Sequence, residues 1–181
     1  MSDSPEVRVP SPLAELPDER FASRGVRLWL KRDDLIHPEL PGNKWRKLKH
    51  NLADARAGGH RKLLTFGGAY SNHIRATAAA GALYGFATIG VIRGDELADR
   101  PLNPSLAFAA ARGMRLVFVD RGTYRRRAEP AFAAELAAAH GDCFLLQEGG
   151  SNAAAVRGCA DLPAEIDVDH DVDAVACGTG G

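Results

Sequence analysis

A lysine stands at a costly place in the stretch ELPGNKWRKLKHNL, residues 39–52. The apolar spacing of Trp45, Leu48, Leu52 and Ala55 predicts a helix over 44–57, so Lys44 falls in its first turn, directly after Gly42-Asn43. A helix N-terminus carries partial positive charge and disfavours a cation by about 0.3–1 kcal/mol. The same field, with partial desolvation, lowers a lysine pKa, and a lysine with a lowered pKa is a nucleophile for carbonyl compounds. An exposed helix lysine is the ordinary reading of such a residue. The neighbouring Arg46, Lys47 and Lys49 take that reading, as solvated or paired cations.

Two further stretches suit anions. In FGGAYSNH, residues 66–73, an apolar run ends at Phe66, two glycines permit tight turning, and Ser71 and Asn72 are good caps for the helix that follows. Free N–H groups at such a helix start bind carboxylate or phosphate. A well-capped helix with no ligand explains the same residues equally well. At the end of the chain VDAVACGTGG reads as a buried strand entering a turn at Gly178, Thr179, Gly180 and Gly181. Consecutive N–H groups there can form an anion nest, although the spacing fits neither GxGxxG nor a P-loop, and a plain tight turn is an equal reading. Together, a reactive lysine, a carboxylate pocket and a phosphate nest are what pyridoxal phosphate with an amino-acid substrate requires.

Short β-type runs at 26–31, 62–66, 87–92, 115–119, 143–147 and 172–177 would position these groups. They alternate with helical patterns at 44–57, 71–84, 104–112, 130–140 and 153–160, closed by Gly58-Gly59, Gly85, Gly113 and Gly141 after the first four. That alternation predicts an α/β fold of parallel strands with helices on both faces. The basic run at 125–129 reads as a solvated helix entry. Lys+Arg and Asp+Glu balance at 23 each, which gives no electrostatic reason to expect nucleic acid or an acidic membrane as partner. No apolar run approaches the ~20 residues of a membrane span, and the polar, proline-rich start does not read as a signal peptide. Cys143, Cys159 and Cys177 have no metal-like or CxxC spacing and read as free thiols of a reducing, cytoplasmic setting. His37, His50, His60, His140 and His170 show no ligand spacing either.

The segments LKRDDLIHPELPGNKWRKLKHNL, TFGGAYSNHIRATAAAGALYG, GGSNAAAVRG and ACGTGG resemble the 1-aminocyclopropane-1-carboxylate deaminase and D-cysteine desulfhydrase family. That family belongs to the tryptophan-synthase-β-like, fold type II pyridoxal-phosphate enzymes. The resemblance runs from Leu28 onward and implies a role for each motif residue. Lys44 would hold the cofactor aldehyde and move the Cα proton. Asn72 would meet the cofactor's ring hydroxyl. Ser71 would contact the substrate carboxylate or approach its ring, and the N–H groups of Asn72 and His73 would complete that pocket. Gly178, Thr179, Gly180 and Gly181 would begin the phosphate loop. The resemblance further implies two domains, a smaller one over 47–150 and a larger one containing 1–46 and 151–181, and a homodimer of the full-length protein.

Stricter cyclopropane deaminases read Ser-Asn-Gln at the carboxylate motif, with Gln before it. Tyr70 and His73 stand there instead and favour desulfhydrase-like chemistry. Family members continue well past this length, so the chain reads as the first part of a longer protein. The expected reaction converts a small amino acid, D-cysteine-like or 1-aminocyclopropane-1-carboxylate, to a 2-oxo acid and ammonia. Another lyase or synthase of the same cofactor group, an inactive truncated remnant, and a nucleotide-binding module are the alternatives.

Overall fold

The structure is a computed structural model and describes residues 7–166. The expected strand at 172–177 and the turn at Gly178–Gly181 lie outside the described residues.

Four of the expected strands form one parallel sheet: β3 (Lys62–Gly67), β4 (Ala87–Arg93), β5 (Arg115–Val119) and β6 (Cys143–Leu146), in the order β5-β4-β3-β6. The intervening helices are α2 (Lys44–Ala57), α3 (Asn72–Tyr84), α4 (Pro104–Ala111), α6 (Pro130–Ala139) and α7 (Ala153–Cys159), each within two residues of its sequence pattern. Successive strand residues face opposite ways. Leu63 joins Leu48, Leu52, Ala55, Ala76 and Ala79 in a core beneath α2 and α3, while Leu64 and Phe66 join Tyr124, Val91 and Cys143 on the other face, beneath α6 and α5 (Arg121–Arg125). Ile74, Ala78, Leu106 and Met114 continue the first core under α4. The sheet is therefore covered by helices on both faces.

The expectation of parallel pairing fails at the N-terminal strand. β2 (Leu28–Lys31) pairs antiparallel with β1 (Leu13–Leu16), through a link that holds α1 (Glu19–Ala22). Leu16, Leu28, Trp29 and Leu30 of this pair are exposed, so no buried face marks β1 in the sequence. The short α8 (Asp161–Ala164) ends the described chain.

Of the solvated and paired readings open to the neighbouring cations, Arg46 takes the paired one. It is not solvated but 2% exposed. Its guanidinium makes paired hydrogen bonds to both Asp33 oxygens, each 2.8 Å, and to both Glu165 oxygens at 2.9 and 2.7 Å. The Ser11 hydroxyl donates to Asp33 at 2.6 Å, and Lys31 lies 3.0 Å from Glu165. One turn region of α2 is thereby fixed to the N-terminal segment, to β2 and to the segment after α7. Close crossing of α2 and α7 completes the clamp: a Cβ on Gly158 would lie 1.9 Å from the Arg46 carbonyl oxygen. Lys49 pairs with Asp161 on the same side.

The Arg46 hydrogen bonds hold the Glu165 carboxyl down to about 2, from an ordinary 4.5, against the opposing effect of burial. A depressed carboxylate adds stability above its unfolded pKa and loses it as pH falls. Stability is thus expected to drop as pH falls from about 4.5 towards about 2. Arg46→Met leaves two carboxylates facing each other and is expected to cost about 3–5 kcal/mol at neutral pH. Urea unfolding across the pH range checks both, and the variant is expected to show a flatter acid limb.

Candidate active site

β3 lies between β4 and β6, so the chain winds one way through β4 and β5 and then crosses to the other side of β3. Open α/β sheets bind ligands at such a reversal, beyond the carboxyl ends of the strands. The loops leaving β3 and β6 start there, and the first of them leads into α3.

Gly67 ends β3, and a Cβ there would fall 2.4 Å from Ile74 Cγ1 and 2.9 Å from Ser71 Oγ. Only a glycine lets the first turn of α3 press this closely on the strand end. Gly68 carries no comparable restriction, with its nearest neighbour at 3.5 Å. Ser71 is the N-cap of α3, its Oγ accepting from the Ile74 N–H at 3.4 Å, which leaves the hydroxyl hydrogen free to donate elsewhere. The N–H groups of Asn72 and His73 have no acceptor within the helix, and no bond outside the helices takes them up among the described residues. Tyr70, just before them, is 75% exposed.

Lys44 is the first residue of α2, as the sequence indicates. A cleft of about 200 Å³ joins this end of α2 to the first turns of α3, lined by Gly42, Asn43, Lys44, Asn72 and Arg75. The Lys44 amine is half-buried, and its pKa is lowered first by that burial and second by the charge of Lys47. Both favour the neutral, nucleophilic form. The cleft therefore brings Lys44 and Asn72 together, and Ser71 and His73 are the residues on either side of Asn72 at the α3 start.

Several side-chain roles at this end of the fold depend on partners that the sequence does not show. Lys47 is half-buried, and its ammonium donates to the Gly149 carbonyl at 3.2 Å and to Ser151 Oγ at 3.4 Å, tying α2 to the loop after β6. Asn152 caps α7 through the Ala155 N–H at 2.9 Å and exchanges side-chain bonds with Asn51 at 2.7 and 3.2 Å. The GGSN run is the sequence signal for both. The His73 imidazole is buried and bonded to Thr65 at 2.9 Å, so only its backbone faces the pocket that the sequence assigns to it. The run at 125–129 is also partly committed, with Arg127 paired to Glu148 and Arg126 to Glu129.

No group of three or more His, Cys, Asp or Glu among the described residues could hold a metal. No helix among them is long and apolar enough to cross a membrane. The donor set suits an aldehyde cofactor with an anionic substrate: an amine with a lowered pKa beside a helix start whose N–H groups lack partners.

Comparison with known proteins agrees with this chemistry. The family model of pyridoxal-phosphate dependent enzymes matches residues 6–181, and the chain belongs to that family. Its cofactor is pyridoxal 5'-phosphate. The chain is 30% identical to a bifunctional D-cysteine desulfhydrase/1-aminocyclopropane-1-carboxylate deaminase, mitochondrial, from Arabidopsis thaliana, over 87% of the chain and 43% of the relative. It superposes on a crystal structure of an ACC deaminase homologue with a TM-score of 0.73 and 27% identity, over 92% of the chain and 50% of the other. A hydrogen sulfide-producing enzyme from Fusobacterium nucleatum shares the fold, with a TM-score of 0.53 and 15% identity over 75% of the chain and 42% of the other. The chain thus spans about half the length of the relatives it matches. The fold is tryptophan-synthase-β-like, fold type II.

The lowered Lys44 pKa yields a direct expectation. Reductive methylation of Lys44 is expected to rise with pH around a midpoint below the ordinary lysine value of 10.5. Removing the Lys47 charge favours the Lys44 ammonium, so Lys47→Met is expected to move that midpoint upward. Mass-spectrometric peptide mapping across a pH series measures both.

Proposed function

We propose that the protein is a pyridoxal-phosphate-dependent deaminase or desulfhydrase of a small amino acid, D-cysteine or 1-aminocyclopropane-1-carboxylate in type, yielding a 2-oxo acid and ammonia. The observation that carries this reading is the meeting of the Lys44 helix start with the first turns of α3 in one small cleft. The similarity to the desulfhydrase/deaminase supports the substrate class.

In this reading Lys44 would hold the cofactor through its amine and would carry the proton taken from or returned to the substrate Cα. Asn72 meets the cofactor's ring hydroxyl. The Asn72 and His73 N–H groups and the Ser71 hydroxyl hold the substrate carboxylate, where the α3 dipole favours negative charge. When bound, pyridoxal phosphate supplies an electron sink for charge developing at Cα. Gly178, Thr179, Gly180 and Gly181 are assigned to its phosphate. Tyr70 and His73, in place of the deaminase pattern, support thiol elimination over ring opening.

The smaller domain in this reading is 47–150, since the four-stranded parallel sheet of the described residues lies within it, and 1–46 with 151–181 form part of the larger. A homodimer of the full-length protein fits the exposed apolar residues of the β1–β2 pair. The free thiols Cys143 and Cys159 suit a reducing compartment, and the cytoplasm is the proposed one.

The full-length protein is expected to gain a visible absorbance band with pyridoxal phosphate, and Lys44→Ala is expected to abolish it. Borohydride reduction and peptide mapping are expected to place the pyridoxyl label on Lys44. A label on Lys47, Lys49 or Lys62 would overturn the assignment. Profiling D- and L-amino acids for ammonia release separates this reading from a β-replacing synthase of the same cofactor group.

A further inference from the structure

The cleft beside Lys44 holds an arginine that the proposed chemistry does not use. Arg75 lies three residues after Asn72 and four after Ser71, so the three share one face at the start of α3. Side chains on a helix lean towards its N-terminus, which carries the Arg75 side chain back over the first turn. It lines the cleft together with Asn72, Lys44 and Gly42. Its guanidinium lies over the Phe108 ring of α4, 4.2 Å from the ring centre. A stacked guanidinium keeps its N–H donors in one fixed plane, the geometry that meets both oxygens of a carboxylate.

Among the described residues that fork has no hydrogen-bond acceptor and no acid partner; its one side-chain contact of this kind is the Phe108 ring. Glu39 is the one acid lining the cleft among them, and it is paired with Arg112, whose guanidinium lies over the same ring at 5.5 Å. Arg112 is thus neutralised and Arg75 is not, although one ring carries both. The cleft wall presents two basic side chains, Lys44 and Arg75, and an acid already engaged elsewhere. Pro38 and Pro41 stiffen the part of the wall formed by the loop before α2. At ~30 Å³ per water, the volume of about 200 Å³ has room for roughly six or seven waters, which suits a small carboxylic acid.

We propose that Arg75 is a carboxylate-binding residue of this cleft: its guanidinium takes the carboxylate of a small amino-acid substrate in two parallel hydrogen bonds, beside the N–H groups of the first turn of α3. The inference rests on the reading of the cleft as the substrate site. A carboxylate accepts at about four lone-pair positions, so the guanidinium and the helix N–H groups can serve it together. The charge selects anionic over neutral ligands, and the plane of the fork backed by Phe108 fixes how the carboxylate lies.

Phenylglyoxal modification of arginine in the full-length protein, followed by peptide mapping, reads Arg75 directly, with Arg112 as internal reference. Propionate at constant ionic strength is expected to slow modification of Arg75 along a saturating curve, by about threefold at twice the half-saturating concentration, and to leave Arg112 unchanged. Propanamide, similar in shape but uncharged, is expected to give no protection. No protection by propionate, equal protection of Arg75 and Arg112, protection by propanamide, or protection by inorganic phosphate alone overturns the proposal. Arg75→Met keeps an apolar stem and removes the fork. It is expected to raise the KM for the amino acid by about tenfold or more, with kcat within about twofold. Arg75→Lys keeps the charge without the fork and is expected to fall between the two. A KM unchanged in both variants overturns the proposal, and if Arg75→Met does not fold, Arg75→Lys and the propionate series decide it. Absence of ammonia release from the unsubstituted protein would reject the proposed function, while propionate protection would still decide the role of Arg75.

Discussion

The Arg46 guanidinium, closed between the carboxylates of Asp33 and Glu165, is the constraint on which the site depends. A charge this deeply buried is tolerated only with full pairing, and here each carboxylate takes two hydrogen bonds from it. Arg46 stands two residues after Lys44 on the same helix. Anchoring it sets the height and rotation of the first turn of α2, and so the direction from which the Lys44 amine approaches α3. The energetic gain of a buried pair over apolar residues is small or negative. Its value here is geometric, because segments distant in sequence can satisfy those carboxylates in only one arrangement.

Two other devices set the opposite wall of the cleft. Gly67 lets α3 start against the end of β3, and Ser71 caps it. Lys47 and Asn152 pull the loop after β6 onto α2. All act where the winding of the sheet reverses, so the helix start with free N–H groups and the lysine with a lowered pKa share one end of the fold. An unfavourable position for a cation becomes useful there: the helix end, burial and Lys47 all disfavour the Lys44 ammonium, and its amine is correspondingly more nucleophilic.

Much of this is legible in the residues because local chemistry decides it. The helix from Lys44 to Ala57 follows from apolar spacing and its closing glycines, and the parallel sheet follows from short apolar runs separated by helical patterns. The SNH motif announces a capped helix after a strand, and the structure has one. The rest depends on partners far away in sequence. Arg46 beside Lys47 and Lys49 reads only as solvated or paired, with nothing to single it out for burial, because Glu165, 119 residues later, gives no local sign of its role. β1 escapes notice because four residues among prolines, none of them buried, carry no alternation. The His73 ring is hidden for a related reason: its backbone belongs to a recognisable motif, while the fate of its side chain depends on Thr65 and Gly150.

A crystal structure of the full-length protein grown with pyridoxal phosphate tests the central claim most directly. The account predicts continuous density from Lys44 Nζ to the cofactor, with the ring beside the first turn of α3 and Asn72 within hydrogen-bonding distance of the ring hydroxyl. Density joining the cofactor to another lysine, or a cofactor bound at the opposite end of the sheet, would contradict it.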